Sequence, residues 1–254
     1  MKFILSSGRL VAALAVLLAL ATAARAELPI LTKARAYLGP ETALNAVKSV
    51  HYQGSFQAPD PADFQKQVAV RVDIIFQAPY RQRTIRSTSA FIDTTALDTY
   101  DGWHRTQDPS DPSRWRLQLL PADQIKRQRA IAWENLGFYR ELEHAGVKVL
   151  DQGLTTIGGI ACHKVAFAHS DDIIFHRYFE EATGRLVLTE TESGASVREH
   201  GEIMVNGIRF PQMILSTSKG KDGKNETVTI TFDKITLNET FPDSVFAVPQ
   251  FSGK

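Results

Sequence analysis

The ten residues "QVAVRVDIIF" constrain this chain more than any other stretch. Val68, Val70, Val72, Ile74 and Phe76 fall on alternate positions, with Arg71 and Asp73 between them. A period of two places the apolar set on one side of an extended strand and the charges on the other. A strand buried on both sides would read as a continuous apolar run, so this one belongs to an antiparallel sheet with one face covered. Just before it, "VHYQGSFQ" repeats the pattern with Val50, Tyr52 and Phe56 on one face, and a Pro/Asp loop separates the two.

The meander continues through "YRQRTIRS" and "SAFIDTTALDT", and "YDGWHRTQ" suggests a hairpin turn at Asp101-Gly102. After residue 146 the chain returns to strands: "VKVLDQGLTTI", "IACHKVAFAH", "DIIFHRYFEE", "RLVLTETES", "REHGEIMVNG", "IRFPQMILSTSKG" and "ETVTITFDKITLN". Short Gly-bearing connections such as "IGG", "ATG" and "VNG" suit hairpins. Two segments break the period. Residues 29–48 show helical spacing, divided into two short helices at Gly39-Pro40. Residues 121–146 are a second helical block, opened by Pro121, interrupted at Gly137 and closed by Gly146. The expected fold class is therefore mainly β (α+β), one large antiparallel sheet with helices inserted.

The N-terminus has a separate logic. Lys2 and Arg9 precede an apolar run from Leu10 to Leu20, and Ala24-Arg25-Ala26 forms a small-x-small site before Glu27. This is the order of a secretory signal peptide, too short to prefer spanning a bilayer. Cleavage after Ala26 takes the balance from 29 basic and 28 acidic residues to 26 and 28. That is no basis for binding nucleic acid, which needs a clustered basic excess. Residues 27–254 then read as a single exported domain. No cysteine follows the apolar run, so the lipobox of a lipoprotein is missing; Cys162, the only cysteine, reads as a buried thiol in a strand.

The chemistry-bearing motifs are few. The sequence lacks a G-x-S-x-G elbow, an H-E-x-x-H helix and a Walker A loop. His163, His169 and His176 form the one histidine cluster, and the default for such residues is hydrogen bonding, not metal ligation. Asp171 and Asp172 read as turn residues. Neither a catalytic group, a metal nor a cofactor is expected.

Five stretches in order carry a family likeness: "KARAYLGPETALNAVKSVHYQGSF", "VDIIFQAPYRQR", "YDGWHR", "YFEEATGRLVL" and "ITLNETFPDSVFAVP", the last with an F-x-x-P ending at Phe246 and Pro249. The chain resembles the LolA/LolB-like family of periplasmic outer-membrane lipoprotein-sorting proteins. The resemblance implies an unclosed, strongly curved antiparallel β-barrel with helices covering an apolar concave face. It implies a soluble, monomeric periplasmic carrier that takes lipoprotein acyl chains, or another lipid, from an inner-membrane ABC transporter to an outer-membrane receptor. An envelope sensor of lipidated or misfolded proteins on the same architecture is the alternative. The family's arginine before the turn proline is matched by Ala78 here, followed by Arg81, Arg83 and Arg86. Those arginines read as solvated charges on an outer strand.

On that resemblance, Val70, Val72, Ile74, Phe76, Phe175 and Phe179 are candidates to line the cavity. Trp133, Phe138 and Tyr139 are candidates for a lid that fills it when empty, with Gly137 as the flexible point. The same side chains would equally make a closed core; periodicity alone does not separate the two.

Overall fold

In a computed structural model of the chain, described over residues 27–60, 63–143, 145–220 and 223–250, thirteen strands form one open antiparallel sheet. The expected signal peptide, residues 1–26, lies outside the described residues. Two short helices, α1 (Pro29–Leu38) and α2 (Glu41–Asn45), lead into the sheet. Gly39-Pro40 separates them as the sequence predicts.

A first meander follows: β1 (Ser49–Asp60), β2 (Asp63–Gln77), β3 (Arg81–Ser87), β4 (Ile92–Asp98), β5 (Asp101–Gln107) and β6 (Trp115–Leu119). Helix α3 (Ala122–Gly137) then connects to a second meander. This comprises β7 (Lys148–Ile157), β8 (Ile160–Ser170), β9 (Ile173–Glu180), β10 (Leu186–Thr191) and β11 (Ser196–His200). A separate two-stranded ribbon, β12 (Ile203–Val205) and β13 (Ile208–Phe210), precedes β14 (Met213–Lys219) and β15 (Asn225–Leu237), which rejoin the sheet beside β11. β15 pairs with β1 and seams the two meanders, leaving β6 and β7 as the outer edges.

Register assigns the faces. Val50, Tyr52, Gly54 and Phe56 of β1 stand opposite Phe76, Ile74, Val72 and Val70 of β2. Across the seam, Tyr52 and Gly54 meet Ile235 and Phe232, with a register shift at Gln53/Gly54. A Cβ on Gly54 would lie 2.1 Å from the Thr231 carbonyl oxygen, so only glycine lets the strands approach at that bulge. This face, concave, buries two clusters. One joins Val165, Phe167, Phe175 and Phe179 to Ile30, Leu31 and Ala34 of α1. The other joins Val50, Tyr52, Val72, Phe76 and Phe232 to Leu44, to Leu136 of α3, and to Ile208 and Phe210 of the ribbon.

The convex face is covered in part by the chain's last stretch. Phe246 is fully buried there, and its carbonyl accepts a 2.8 Å hydrogen bond from Trp103 Nε1. His51 Nδ1 lies 2.8 Å from a Glu239 carboxylate oxygen and Nε2 2.9 Å from one of Asp73, so its protonated form can donate to both, with the Phe241 ring edge-on at 5.5 Å. Cys162 is buried in β8, as expected, beside Tyr178 and Leu188.

Four local expectations change. The turn before β5 centres on Thr99-Tyr100, with Thr99 left-handed at φ 59°, and Gly102 lies inside the strand against Leu120. "REHGEIMVNG" and "IRFPQMILSTSKG" each divide between the sheet and the ribbon. Gly201, at φ 65°, turns the first, and Pro211, which has no N–H to give a ladder, ends the second. β1 continues through Pro59, so the Pro/Asp loop is shorter than predicted. Arg81, Arg83 and Arg86 do not sit on an outer strand: β3 runs inside the sheet between β2 and β4, and its alternation sends Arg81 and Arg83 to the convex face and Arg86 to the concave one.

The "EATG" turn of the β9–β10 hairpin is pressed onto α1. Lys33 Nζ donates to the Glu181 carbonyl at 2.6 Å, and a Cβ on Gly184 (φ 80°) would lie 2.6 Å from the Ala34 backbone nitrogen. Gly184→Ala is expected to lower the unfolding free energy by more than about 1 kcal/mol in urea titration. Gly158→Ala, at a left-handed glycine with nothing within 4 Å, should cost less. A second expectation concerns pH. Burial disfavours the His51 cation, but hydrogen bonds to Glu239 and Asp73 outweigh it and hold the pKa above 6.5. The resulting stabilisation is complete below about pH 6.5 and is lost as pH rises through the raised folded value. The stability difference between wild type and His51→Gln, from urea midpoints, should therefore shrink as pH increases above 6.5.

Candidate functional site: the concave face beneath helix α3

Because α3 links β6 to β7, it runs from one free edge of the sheet to the other over the concave face. Polar contacts fasten it at both sides. Near its start, Lys126 pairs with Asp172 at 3.3 Å and Arg127 with Glu192. The Arg129 guanidinium sits 4.0 Å and 4.1 Å from the ring centres of Tyr80 and Tyr100, and its Nη1 donates to the Thr99 carbonyl at 2.6 Å. Further along, the Glu134 side chain is only 4 % exposed and receives both His169 and Arg177 at 2.7 Å. Burial opposes the Arg177 charge, yet Glu134, Tyr139 and Glu199 together hold its pKa above the ordinary range.

The helix does not end on a glycine in the left-handed region. Phe138, Tyr139 and Glu141 take that conformation instead, at φ 46°, 63° and 49°. Each such non-glycine residue costs on the order of 1 kcal/mol. What offsets this is burial of two aromatic rings, about 1.5–3 kcal/mol each. Phe138 enters the seam cluster, edge-on to Phe210 at 6.3 Å. Tyr139 enters the other, stacked on Phe167 at 6.2 Å and edge-on to Phe179 at 5.0 Å. One strained turn thus plugs both apolar halves of the face. Trp133 stacks on Tyr80 at 5.8 Å, packs against the Tyr139 cluster and leaves Nε1 buried with no partner.

The residues singled out from sequence fall on this face. Phe175 and Phe179 come together with Tyr139 and Trp133, and Val72, Ile74 and Phe76 with Phe138. Val70 is buried on the same side of β2, beyond both clusters. Gly137 is the last helical residue and lies under the Trp133 indole; the conformational break itself falls on Phe138 and Tyr139. The three histidines are not brought together. His163 bonds Asp151, His169 bonds Glu134 and His176 bonds Gln152. Among the described residues no group of three or more His, Cys, Asp or Glu side chains is placed to hold a metal ion.

Several polar residues of the interior escaped sequence reasoning. Glu199 shares the inward parity of Val197 on β11 and opens onto a cavity of about 170 Å³ lined by Ala34, Leu38, Tyr139, Leu186 and Phe210. Burial raises its pKa against the pull of Arg177. A larger cleft of about 540 Å³ lies between α1 and residues 139–143, with Leu28, Leu31, Leu142 and Val149 on its apolar side and Arg35, bonded to Glu27 and Glu41, on its polar side. On the β3–β5 arm the concave face is polar: Asp93 accepts from Arg86, His104 and Thr106. Burial would raise the Asp93 pKa, but Arg86 and His104 hold it below the ordinary carboxylate value. The available signal was the interruption of an apolar alternation by one charged residue at an inward position.

An open, curved antiparallel half-barrel with a helix laid over its apolar concave face defines the class. Solved structures are similar to it in fold. A LolA superfamily protein from Nitrosomonas europaea is similar at TM-score 0.54 and 14% identity, over 86% of this chain and 96% of that one. A putative outer membrane lipoprotein-sorting protein domain from Vibrio parahaemolyticus is similar at TM-score 0.53 and 8% identity, over 85% and 94%. A DUF1329 family protein from Desulfovibrio piger is similar at TM-score 0.53 and 8% identity, over 86% and 95%. No family model matches the chain, and no curated protein matches it by sequence. The chain has a LolA-like fold.

Removing the carboxylate that receives both His169 and Arg177 should be costly. Glu134→Ala leaves a buried guanidinium without its partner and is expected to destabilise by about 3–5 kcal/mol in urea unfolding. Glu134→Gln, which keeps an acceptor, should lose less.

Proposed function

We propose that the chain is an exported, periplasmic binding protein, residues 27–254 acting as one domain, that holds acyl chains of a lipoprotein or another lipid on its concave face and carries them toward the outer membrane. The observation that carries this reading is the turn after α3. Two buried aromatic rings, Phe138 and Tyr139, fill the two apolar clusters from consecutive strained residues. Strained backbone of this kind persists only where the surrounding packing holds it, and any strain recovered on withdrawal would lower the net cost of removing the rings.

The magnitudes are compatible. A long acyl chain kept from water contributes on the order of 10 kcal/mol. Withdrawing the two rings forfeits roughly 3–6 kcal/mol of burial and recovers the strain. Leaving roughly 300 Å³ of apolar space empty would cost about 7 kcal/mol, which is why such a carrier fills its own cavity when unloaded. Val70, Val72, Ile74, Phe76, Phe175 and Phe179 would line the acyl path, with Trp133 beside it. Transfer from an inner-membrane ABC transporter to an outer-membrane receptor is the role this fold suggests, and the Vibrio parahaemolyticus neighbour, described as a putative lipoprotein-sorting domain, supports it. The activity proposed is binding, not catalysis.

The test is acyl uptake by the mature protein. A fluorescent long-chain acyl probe should bind saturably, quench or shift Trp133 emission, and lose that signal in Trp133→Phe. Native mass spectrometry of protein recovered from the cell envelope should show bound lipid. An absence of bound lipid together with no probe response would sink the carrier reading.

A further inference from the structure

The convex face carries two neighbouring arginines with unpartnered buried nitrogens. Arg83 of β3 stands opposite Ala96, and Arg105 of β5 stands opposite Thr94, so the two side chains reach adjacent positions of β4 from either side. Ala96 and Thr94 beneath them are each 1% exposed. In both guanidiniums Nε is buried without a hydrogen-bond partner. Arg105 lies 6.0 Å over the Trp103 ring, a contact that satisfies no N–H.

Three carboxylates of this face are already engaged, while Asp101 lies exposed near the start of β5. Asp73 accepts from His51 and Gln53, and Asp98 and Asp243 accept from Arg81. Three other arginines do pair with acids, Arg35 with Glu27 and Glu41, Arg86 with Asp93 and Arg177 with Glu134, although the Arg177 Nε is likewise unpartnered. Burial lowers the Arg83 pKa, and the charge of Arg105 lowers it further against the pull of Asp73. Two like charges side by side with orphaned donors are unfavourable unless a shared counter-charge joins them. A tetrahedral oxyanion offers several acceptor oxygens and matches the planar guanidinium fork, so one such ion can bridge both residues. Both side chains are only partly buried, which leaves a face of each open to solvent.

We propose that Arg83 and Arg105 together bind one phosphate-type oxyanion on the convex face, supplied either as inorganic phosphate or by the headgroup of an anionic phospholipid. The site lies on the opposite side of the sheet from the acyl cavity and does not depend on it. A phosphate on a carrier's outer face would give it a contact for lipid headgroups separate from the acyl path.

The test uses the mature protein, with sodium phosphate compared against sodium chloride at matched ionic strength. Phosphate at about ten times its Kd is expected to raise Tm by about 3–6 °C. The arginine Nε–H resonances of Arg83 and Arg105 should shift in the same titration, a readout on wild-type protein that needs no variant to fold. Arg83→Gln and Arg105→Gln, checked for native circular dichroism, should each abolish the phosphate effect while acyl-probe binding is retained. Co-sedimentation with phosphatidylglycerol vesicles, but not phosphatidylcholine vesicles, competed by phosphate, identifies the headgroup source. A phosphate response without vesicle binding identifies a soluble source. If neither phosphate nor vesicles give a response, or if the response survives in both variants, the site is refuted.

Discussion

The pairing of β1 with β15 is the interaction on which the rest of the architecture depends. It brings together strands from near the two ends of the described chain, Val50 against Leu237 and Ser55 against Thr231. Contacts this distant in sequence are costly in loop-closure entropy and are rewarded only when neighbouring pairings form with them. Once made, the seam fixes both meanders in one sheet and puts β6 and β7 at its two outer edges. The connection between those edges must then pass over a face. α3 is that connection, so the covering helix follows from strand order and not from a separate docking preference. Gly54 and its register shift lie in the seam itself, where a side chain would meet the Thr231 carbonyl.

The covering helix is held differently from a core helix. Its N-terminal half is fastened by charges to loop residues Asp172 and Glu192 and by Arg129 between two tyrosine rings. Such exposed pairs contribute little individually and are screened by salt. Its C-terminal half is fastened by Glu134, whose two partners lie out of water and where removal of one member strands a charge. The helix therefore has a weakly held start and a firmly held end. The strained turn with Phe138 and Tyr139 comes directly after the firm end, so movement of those rings need not require release of the whole helix.

Much of the fold was legible in the sequence because a half-buried antiparallel strand writes itself as alternation. Val68 to Phe76, and Phe175 with Phe179, revealed their inward face before any pairing was known. The break at Gly39-Pro40 was legible from the local chemistry of glycine and proline, whereas the helical block read over residues 121–146 with an interruption at Gly137 in fact ends there, and residues 138–143 and 145–146 are not helical. What local pattern does not encode is which strand lies beside which. "IRFPQMILSTSKG" reads as one strand, yet its two halves serve different sheets on either side of Pro211. "YRQRTIRS" is polar on both sides, and only its register with β2 shows that Arg83 and Arg86 point to opposite faces. Glu199 and Glu134 were illegible as partners of the Arg177 region because the association spans β11, α3 and β9.

The division of the apolar interior into two clusters bears on how a ligand would enter. Phe138 belongs to the cluster at the seam and Tyr139 to the one over β8–β10, though the residues are consecutive. The seam cluster also holds α2 and the β12–β13 ribbon, so withdrawing Phe138 removes one ring from an assembly that has many other members. The other cluster includes α1, whose backbone is pinned by the turn at Gly184. Neither cluster depends on its plug for the pairing of the strands beneath it. Loss of each ring forfeits about 1.5–3 kcal/mol, well below what an entering acyl chain contributes. On the carrier reading proposed above, a sheet seamed elsewhere, at β1–β15, would keep its shape while its concave surface changed occupant, and that separation of scaffold from plug is what would distinguish a container from a core.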